Sequence, residues 1–559
     1  MRRYLFLPLF LLFAANFICN AQTKKAIIED SVLDAPQYAV YFTDKNGTPY
    51  SVDNPLEFLS QRALDRRAMR GMAVNEDDLP VSPTYVAGLT ATGAFVKWTS
   101  RWGNLAIVCA TDNAIQQIGE LPYVDSIVYI KPSLKKIQSQ SHNNSKWDNE
   151  FYHEYSGGHN KVDYGVASAQ IEQINGVPVH NAGYRGEGIL IAVIDAGFRN
   201  LNQIPEFQPL FESGRVVFEK DIVEIGGNIY SGSSHTHGTA VTSTMAVNNP
   251  GSFVGTAPDA SYAFIRTEDG ATEYLVEEYN WIVGAEMADS LGADIINSSL
   301  GYSTFDDPDM QIPYSQMDGN TCISSIAVKR LTERGVHVVV SAGNSNGDEE
   351  WPWIGTPADA VEAMAIAAVD PQGNIASFSS LGPNGAGDPK PNVAACGLYC
   401  TVINANGTIE YSAGTSISSP ITCGMVACLV QASPTTTPAE MMDIVQQHAD
   451  RYPNTSIYYG YGIPDFGASL NDLDGIKDNE NLSFTRIYPN PSDDEINVSC
   501  KMQPISTIRV LDIAGRCINN ISVNDNFAKI SVKNIPSGIV FIEIRLADGK
   551  TETRKIIVR

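Results

Sequence analysis

The sequence is short of positive charge. It contains 38 Lys and Arg residues against 63 Asp and Glu residues, a net charge of −25, and residues 141–480 alone contain 13 basic and 42 acidic side chains. Because a phosphate backbone is bound by a basic surface, this imbalance argues against a nucleic-acid-binding protein. Clustered carboxylates are instead the ligands that Ca²⁺ prefers.

Long apolar runs are also scarce, and the most marked one lies at the amino terminus. Arg2 and Arg3 precede an apolar stretch that continues to Ile18, and the small residue Ala21 follows. This arrangement predicts a secretory signal peptide that is cleaved after Ala21. The run is short for a bilayer-spanning helix, and we expect no later stretch to be long and apolar enough to span a membrane.

Cysteine is rare, with nine residues in 559, and none of them belongs to a Cys-x-x-Cys pair. The sequence therefore lacks the spacing of the common zinc sites. Export to an oxidising compartment permits disulfide bonds. Cys396 with Cys400 and Cys500 with Cys517 are possible pairs, and their spacing alone does not decide whether they are bonded.

Three folded regions are predicted after the signal peptide. The first, about residues 36–135, has strand and helix patterns in the order β-α-β-β-α-β, which is the split βαβ arrangement. Its strands are predicted at 38–44, 94–100, 105–111 and 126–131, and its helices at 54–71 and 111–122. Residues 136–165 are polar and lack periodicity, so we expect an exposed connection.

The second region, residues 166–470, alternates apolar strands with helices. Strands are predicted at 188–195, 262–267, 293–300, 337–344 and 363–369, and the longest helix at 273–292. Near-continuous apolar strands between helices indicate the α/β class, with a mostly parallel sheet flanked by helices. The functional residues of such sheets lie at the carboxyl ends of the strands. The third region, residues 484–559, consists of short strands separated by turns, the pattern of a small all-β sandwich.

Reactive side chains occur at three predicted strand ends or helix starts. Asp195 ends a buried strand, His237 precedes Gly238 and a small-residue helix, and Ser416 begins another such helix. In this order they match an Asp-His-Ser triad, in which the histidine takes the serine proton and the aspartate holds the imidazole in one tautomer. His235 is the alternative base. Gly238 favours His237 as the base, because glycine lets the backbone approach the site closely.

Asn344 ends a predicted strand and is the candidate oxyanion-hole residue, because its amide can donate to a developing oxyanion together with the Ser416 N–H. Ser416 begins a helix, where free N–H groups and the helix dipole favour negative charge. Gly414 lets the backbone pass close to a substrate. Pro420 falls in the early turns, where a missing N–H does least harm.

These residues lie in four blocks, VIDAGF, HGTAV, SAGN and GTSISSP, which resemble the signature blocks of the subtilisin-like serine peptidases. FVGTAPDASYAFIRT (253–267) and YGYGIPDF (459–466) resemble further blocks of the same family. The resemblance covers about residues 165–470 and implies a subtilisin fold and endopeptidase activity. Ala196 and Ala240 depart from the usual Thr and His, which bears on rate and specificity because neither is a reacting group.

The resemblance also implies how a substrate binds. NSSLGY (297–302) resembles the substrate-binding strand of the family. A peptide backbone is therefore expected to pair with Ser299, Leu300 and Gly301, and with Ala342 and Gly343, by β-augmentation. The chemistry requires no cofactor, and structural Ca²⁺ is a family expectation for which the sequence identifies no ligand set. The acidic run 348–350 favours basic substrate side chains or is simply a solvated loop.

The flanking regions carry resemblances of their own. Residues 36–135 resemble the propeptides of this family, which act as intramolecular chaperone and inhibitor and are cut afterwards. The segments IYPNP, VLDIAGR and 535–558 resemble the sorting domain of type IX secretion substrates in Gram-negative bacteria. The expected partners are protein or peptide substrates, the chain's own propeptide and the type IX secretion machinery. The expected location is outside the cell or at its surface, after export through the periplasm.

The expected organisation of the chain has six parts. They are a signal peptide at 1–21, a propeptide at 22–140, an exposed connection with the processing site at 141–165, a peptidase domain at 166–472, a linker at 473–483 and a sorting domain at 484–559. Two other functions fit the same motifs. A surface binding protein on an inactive subtilisin-like scaffold is one, although all four reacting positions are present. A ligase or transpeptidase that uses the same acyl-enzyme is the other, and amine-transfer assays would separate it from a hydrolase.

Overall fold

The computed structural model describes residues 30–139, 153–154 and 164–473, and residues 485–558 except 489–491, 493, 501–502, 513–514, 534, 537, 548 and 550. The predicted signal peptide and most of the predicted processing connection lie outside the described residues. The chain divides into two compact units, Met1–Ser469 and Leu470–Arg559.

Residues 30–139 form the predicted α+β domain. Its helices are α1 (Asp30–Leu33), α2 (Gln61–Met69), α3 (Pro83–Ala91), α4 (Asp112–Gly119) and α5 (Leu134–Ser139), and its strands are β1 (Gln37–Phe42), β2 (Phe95–Ser100), β3 (Leu105–Cys109) and β4 (Val124–Lys131). The strands form an antiparallel sheet in the order β2-β3-β1-β4, which confirms the split βαβ prediction.

Four helices of this domain differ from the sequence prediction, and two of them, α1 and α5 at its two ends, were not predicted at all. The helical pattern at 54–71 divides into a 3₁₀ turn at Pro55–Glu57 and helix α2, because the Ser60 side chain accepts the Ala63 N–H and caps a new helix there. Helix α3 was not predicted either. It buries only Leu89 and has no clear apolar face, so periodicity gives no signal for it.

The next region is built around a seven-stranded parallel sheet. Its strands are β6 (Leu190–Asp195), β7 (Val216–Asp221), β10 (Ser261–Arg266), β11 (Ile295–Ser298), β12 (His337–Ser341), β13 (Met364–Val369) and β14 (Val393–Cys396), in the order β14-β13-β12-β11-β6-β10-β7. All adjacent strands in this sheet are parallel, which confirms the predicted α/β class.

Helices and short strands surround this sheet. The helices are α6 (Ser168–Gln173), α7 (Val177–Asn181), α8 (Gln208–Glu212), α9 (His237–Ala246), α10 (Val276–Leu291), α11 (Ile323–Thr332), α12 (Thr415–Ala432), α13 (Pro438–Gln447) and α14 (Phe466–Leu473). The remaining strands are β5 (His153–Glu154), β8 (Asn248–Asn249), β9 (Phe253–Val254), β15 (Leu398–Ile403) and β16 (Ile409–Ala413). Of these, β15, β16 and β5 form a small sheet.

The five predicted strands of the central region coincide with β6, β10, β11, β12 and β13, and the structure adds β7 and β14 at the two edges. Strand β7 alternates half-buried and exposed residues, and β14 has only four residues. Neither resembles the long apolar runs of the interior strands. Partial exposure at the edge explains why β7 escaped prediction, whereas β14 is buried throughout and its short run VAAC carries little signal.

One hydrophobic core joins the α+β domain to the central region. It includes Ile107 and Ile130 of the former and Ile194, Trp281 and Val328 of the latter. Within this unit, strands β1 and β2 of the α+β domain pack against helix α10. The two domains therefore bury apolar surface against each other, and each domain would expose this surface to water if it were alone.

Helix α12 is apolar and buried. Among the residues that the structure describes, it is the single helix whose length and composition would suffice to cross a membrane, yet 89% of it is buried inside the fold. The expectation that no later stretch reaches this length and apolarity was therefore wrong for α12. Its apolar residues contact the parallel strands instead.

The structure separates the two possible cysteine pairs. Cys396 and Cys400 form a disulfide bond with a Cα–Cα distance of 6.2 Å, between the end of β14 and strand β15. Cys500 is a buried free thiol and Cys517 an exposed one, so the second possible pair is not bonded.

Residues 485–558 form the predicted β-sandwich. Its strands are β17 (Thr485–Tyr488), β18 (Glu495–Cys500), β19 (Ile505–Leu511), β20 (Cys517–Asp525), β21 (Phe527–Ser531), β22 (Gly538–Leu546) and β23 (Thr551–Val558). They pair in two antiparallel sheets, β17-β18-β21 and β20-β19-β22-β23. Alternate residues such as Ile508, Val510, Ile542 and Ile544 point into a separate core.

Candidate active site

Asp195 is the last residue of β6, at the carboxyl edge of the parallel sheet. Its side chain is fully buried, and its Oδ1 accepts the Ala196 N–H at 2.8 Å and a hydrogen bond from His237 Nδ1 at 2.8 Å. Burial raises the pKa of this carboxyl, while the imidazole and the Ala196 N–H oppose the rise. The sequence-predicted carboxylate and imidazole are therefore paired in a dry environment.

His237 begins helix α9 and is also fully buried. The following residue, Gly238, donates its N–H to the Gly197 carbonyl at 2.9 Å. A Cβ at position 238 would lie 2.5 Å from that same oxygen, so only glycine allows the helix to approach so closely. His235, the alternative base, accepts the His237 backbone N–H at 3.2 Å through its own Nδ1.

Ser416 is the second residue of α12 and is 3% exposed. Gly414, directly before the helix, has φ +150°, which side-chain-bearing residues rarely adopt. Helix α12 packs against α9, so the helices that begin with Ser416 and His237 are neighbours.

Pro420 lies at the sixth position of α12 rather than in its first turn. It has no N–H to donate to the carbonyl four residues earlier, which is that of Ser416. The Ser299 hydroxyl donates to this carbonyl instead, at 2.8 Å. The expectation that Pro420 falls where no N–H is needed was therefore wrong, because the residue lies inside the helix, and the Ser299 hydroxyl supplies the missing donor.

Asn344 lies just after β12 and is fixed by the start of α12. Its Oδ1 accepts both the backbone N–H and the hydroxyl of Thr415, each at 2.9 Å, and the Gly343 N–H donates to the Thr415 hydroxyl at 3.0 Å. Because the amide oxygen is occupied in this way, the Asn344 NH₂ group is left as the donor of this side chain.

A cleft of about 390 Å³ brings most of the predicted residues together. Its lining contains Ser416, Asn344, Ser299, Leu300, Gly301, Ala342 and Gly343. Asp195 and His237 are fully buried and are not part of the lining. The acidic run 348–350 does not line the cleft either, so it is not the part of the chain that sets the charge there.

The cleft also has residues that the sequence analysis did not single out. Glu268 and Glu273 come from the loop after β10, and Asp306 comes from the loop after β11. Both loops follow carboxyl ends of parallel strands, so the rule that located Asp195 would have indicated these loops as well. The oxygens of Glu268, Glu273 and Glu277 lie within 4.8 Å of one another.

Buried ion pairs join the α+β domain to helix α10. The Asp289 carboxylate is bound by Arg66 at 2.5 Å, Arg67 at 2.7 Å and Arg101 at 2.5 Å. Burial raises the pKa of Asp289, but the three guanidinium groups outweigh this effect and the pKa is lowered. Glu286, on the same helix, accepts the backbone N–H groups of Arg101 at 3.0 Å and of the next residue at 2.9 Å.

Comparison with known proteins assigns each region. Residues 186–462 match the family model of the subtilase family, residues 37–156 match that of the peptidase S8 propeptide domain of Bacteroidota, and residues 486–559 match that of the secretion system C-terminal sorting domain. The protein is therefore a serine peptidase. The chain belongs to the subtilisin-like (S8) family, with a propeptide before the peptidase region and a type IX sorting tail after it.

Curated relatives agree with this assignment. The chain is 26% identical to Subtilisin NAT of Bacillus subtilis subsp. natto over 377 residues, which are 67% of this chain and 83% of the relative. It is 29% identical to Subtilisin of Bacillus pumilus over 304 residues, 54% of this chain and 96% of the relative. It is 24% identical to Serine protease AprX of Bacillus subtilis (strain 168) over 294 residues, 48% of this chain and 62% of the relative.

Proposed function

We propose that the protein is a secreted serine endopeptidase that cleaves peptide bonds through an acyl-enzyme on Ser416, with His237 as general base and Asp195 as its orienting partner. The observation that carries this proposal is the buried 2.8 Å hydrogen bond between His237 Nδ1 and Asp195, at the start of a helix that packs against the Ser416 helix. With Nδ1 as the donor, Nε2 is the nitrogen that accepts a proton.

In the first half of the reaction, Ser416 Oγ attacks the carbonyl carbon of the scissile bond and its proton moves to His237 Nε2. The carbonyl electron pair moves to the oxygen. When the tetrahedral intermediate collapses, the C–N bond breaks and His237 gives the proton to the leaving amine. An ester between Ser416 and the substrate acyl group remains.

In the second half, water attacks this ester and loses a proton to His237 Nε2. Collapse of the second intermediate breaks the bond to Ser416 Oγ, which takes the proton back. The products are the amine released first and a carboxylic acid. Asp195 stays ionised throughout and stabilises the imidazolium that forms in each half.

Two donors are proposed for the oxyanion: the Asn344 NH₂ group and the Ser416 backbone N–H. Support comes from Thr415, which holds the Asn344 oxygen and so aims the NH₂ group away from the helix. The amino terminus of α12 adds a favourable dipole for negative charge. The substrate backbone is proposed to pair with Ser299–Gly301 and with Ala342–Gly343, which line the same cleft.

The α+β domain is proposed to act as an inhibitory propeptide, residues 22–140, that is cut off within residues 141–165. Its shared core and the ion pairs of Asp289 support tight association with the peptidase domain at 166–472. A domain held by such contacts keeps the precursor inactive until the connection is cut and the contacts open.

Export is proposed to proceed in two steps. The predicted signal peptide, residues 1–21, directs the chain to the periplasm, and the sorting domain, residues 484–559, after the linker 473–483, directs it through the outer membrane by the type IX machinery. The match of residues 486–559 to the sorting-domain model supports the second step.

For Ca²⁺ we propose a structural role and no role in the chemistry. Carboxylate oxygens are the donors that Ca²⁺ prefers, and among the described residues the group Glu268, Glu273 and Glu277 offers three of them within 4.8 Å. An ion held there would neutralise neighbouring carboxylates. No proton transfer in the reaction above involves it.

A labelling experiment on the purified precursor tests the proposal. A serine-directed fluorophosphonate is expected to label Ser416, and mass spectrometry is expected to find new termini within residues 141–165. Ser416→Ala should show neither result, whereas Ser418→Ala, which changes a buried hydroxyl on the same helix, should show both. If the purified Ser416→Ala variant is still processed, the assignment of Ser416 as nucleophile is refuted. If the parent chain is neither labelled nor cut but still binds peptides, the inactive scaffold is favoured.

A further inference from the structure

The cleft that contains Ser416 has an acidic wall, formed by the loops 268–273 and 303–307. These loops place Glu268, Glu273 and Asp306 in the lining, and no Lys, Arg or His residue of the described chain is part of that lining. The cleft is therefore negatively charged on the side of the acidic wall.

The carboxylates of the acidic wall are close together and firmly placed. The Glu273 backbone N–H donates to Asp306 Oδ2 at 2.9 Å, and the Asp269 N–H donates to Glu277 Oε1 at 3.0 Å. Burial and the charges of Glu268, Glu277 and Glu273 raise the pKa of the nearby Tyr302 hydroxyl well above 10. A cation that entered the wall would relieve the repulsion among these groups.

The chain's own propeptide presents such cations to both loops. Lys131, at the end of β4, is 7% exposed, and its Nζ lies 3.4 Å from Asp269 Oδ2 and 5.9 Å from the centre of the Tyr274 ring. Lys136 Nζ lies 3.6 Å from Asp307 Oδ2. Burial raises the pKa of Asp269, but Lys131 is the largest opposing influence and the pKa is lowered.

The position of these lysines in the chain shows on which side of the cut bond the wall lies. Both precede the proposed processing region, residues 141–165, so they are N-terminal to the bond that is cut. A chain that runs from this surface to the cut bond reaches the bond from its N-terminal side, and this is the side on which we place the wall. The same cleft continues to Ser416.

We propose that the acidic wall is a subsite that selects a Lys or Arg side chain upstream of the scissile bond, with Glu273 and Asp306 as its ion-pairing partners. This inference rests on the proposed peptidase function and specifies its substrate class. A neutral side chain would leave the repulsion among these carboxylates in place, and an acidic one would add to it. An Arg side chain would also form two parallel hydrogen bonds with a single carboxylate.

The test uses the processed enzyme and sets of fluorogenic peptides that differ at one upstream position, which carries Lys, norleucine or Glu. In the set of peptides whose varied position reaches the acidic wall, we expect kcat/KM to be about tenfold higher for Lys than for norleucine, and lowest for Glu. The preference should weaken as NaCl is raised, because salt screens partly exposed ion pairs.

Three variants connect this preference to the wall. Glu273→Gln and Asp306→Asn should each move the ratio of the Lys to the norleucine rate toward one, a readout that a general loss of activity does not change. Asp306 is exposed, and an Asn side chain keeps an amide oxygen that can accept the Glu273 N–H, so we expect the variant to fold. Asp348→Asn, which removes a charge outside the cleft, should leave both the ratio and the rates unchanged.

The outcomes separate this inference from the peptidase function. Equal cleavage of all three peptides would overturn the inference and leave the peptidase standing, whereas no cleavage of any peptide would overturn both. Equal cleavage combined with a Ca²⁺-induced rise in melting temperature that Glu273→Gln abolishes would assign the wall to a metal ion. A Lys preference that Glu273→Gln and Asp306→Asn leave intact would also overturn it.

Discussion

The Ser299 hydroxyl donates to the Ser416 carbonyl at 2.8 Å and so takes the place of the N–H that Pro420 lacks. This contact ties the proposed substrate-binding strand to the backbone of the proposed nucleophile. Ser299, which we propose contacts the substrate backbone, thus also holds the first turn of α12.

Ser299→Ala is expected to lower kcat by about tenfold, because loss of a buried donor costs about 1–3 kcal/mol and frees the first turn of α12. Pro420→Ala restores an N–H at the position that α-helical bonding requires. The double variant should therefore recover much of the lost rate, measured as kcat on one peptide at saturation. Additive losses in the double variant would show that the carbonyl contact does not position Ser416.

Asp195→Asn is expected to reduce kcat by about 10⁴-fold with little change in KM, because an amide no longer fixes the Nδ1–H tautomer of His237. The measurement is peptide hydrolysis after active-site titration, so that folding and catalysis are separated. His235→Gln is the matched control and should keep most of the activity. If His235→Gln lost most of the activity and Asp195→Asn kept it, the role of base would be assigned to His235.

Asn344→Ala is expected to lower kcat by about 10²–10³-fold through loss of an oxyanion donor. The substitution also removes the acceptor for Thr415. Thr415→Val serves as the control, because it removes the hydroxyl contact and keeps the Asn344 amide. If both variants lose activity equally, the asparagine acts through the helix rather than on the oxyanion.

Glu278 gives the fold a pH dependence. Burial raises its pKa from 4.5 to about 7, with the two hydrogen bonds from Ser324 opposing the rise. Because the folded protein binds this proton more tightly, the carboxyl stabilises the fold fully below pH 4.5, and this contribution of about 3 kcal/mol at most is lost as the pH rises through 7.

Glu278→Gln should therefore raise the melting temperature above pH 8 relative to the parent and leave it nearly equal below pH 5. Both proteins are measured in a Ser416→Ala background, which prevents self-digestion. Glu333→Gln, at a side chain that is 42% exposed, should show no such difference. Identical pH profiles for the Glu278→Gln variant and its parent would contradict the assigned pKa.

Asp289→Asn is expected to loosen the propeptide, because it leaves Arg66, Arg67 and Arg101 without their shared carboxylate, and breaking a buried ion pair costs about 3–5 kcal/mol. After processing, the variant should release its propeptide on gel filtration under conditions where the parent retains it. A variant that keeps its propeptide would show that the apolar core alone suffices for binding.

Much of the site could be predicted from the sequence because its reactive residues end buried strands or begin helices. Asp195 and Asn344 follow apolar strands, and short glycine-containing motifs surround His237 and Ser416. These are local signals. The type of the sheet followed from the same apolar runs.

The acidic wall and the buried ion pairs could not be predicted, because they depend on contacts between segments that are distant in the sequence. The acidic wall combines two loops separated by some 30 residues, and Lys131 reaches it from another domain. The buried face of α2 consists of Ala63, Arg66 and Arg67, so its charged residues carried no apolar signal. Their partner Asp289 lies more than 200 residues away, which no sequence pattern reveals.

The contact of Gly238 with the Gly197 carbonyl has a mechanical consequence. Main chain touches main chain there, with no room for a single added carbon, so the backbone segments that carry Asp195 and His237 are held at one separation. Thermal disorder in outlying loops would leave that separation unchanged. The spacing of the two backbone positions from which the carboxylate and the imidazole extend is thus a fixed dimension of the scaffold.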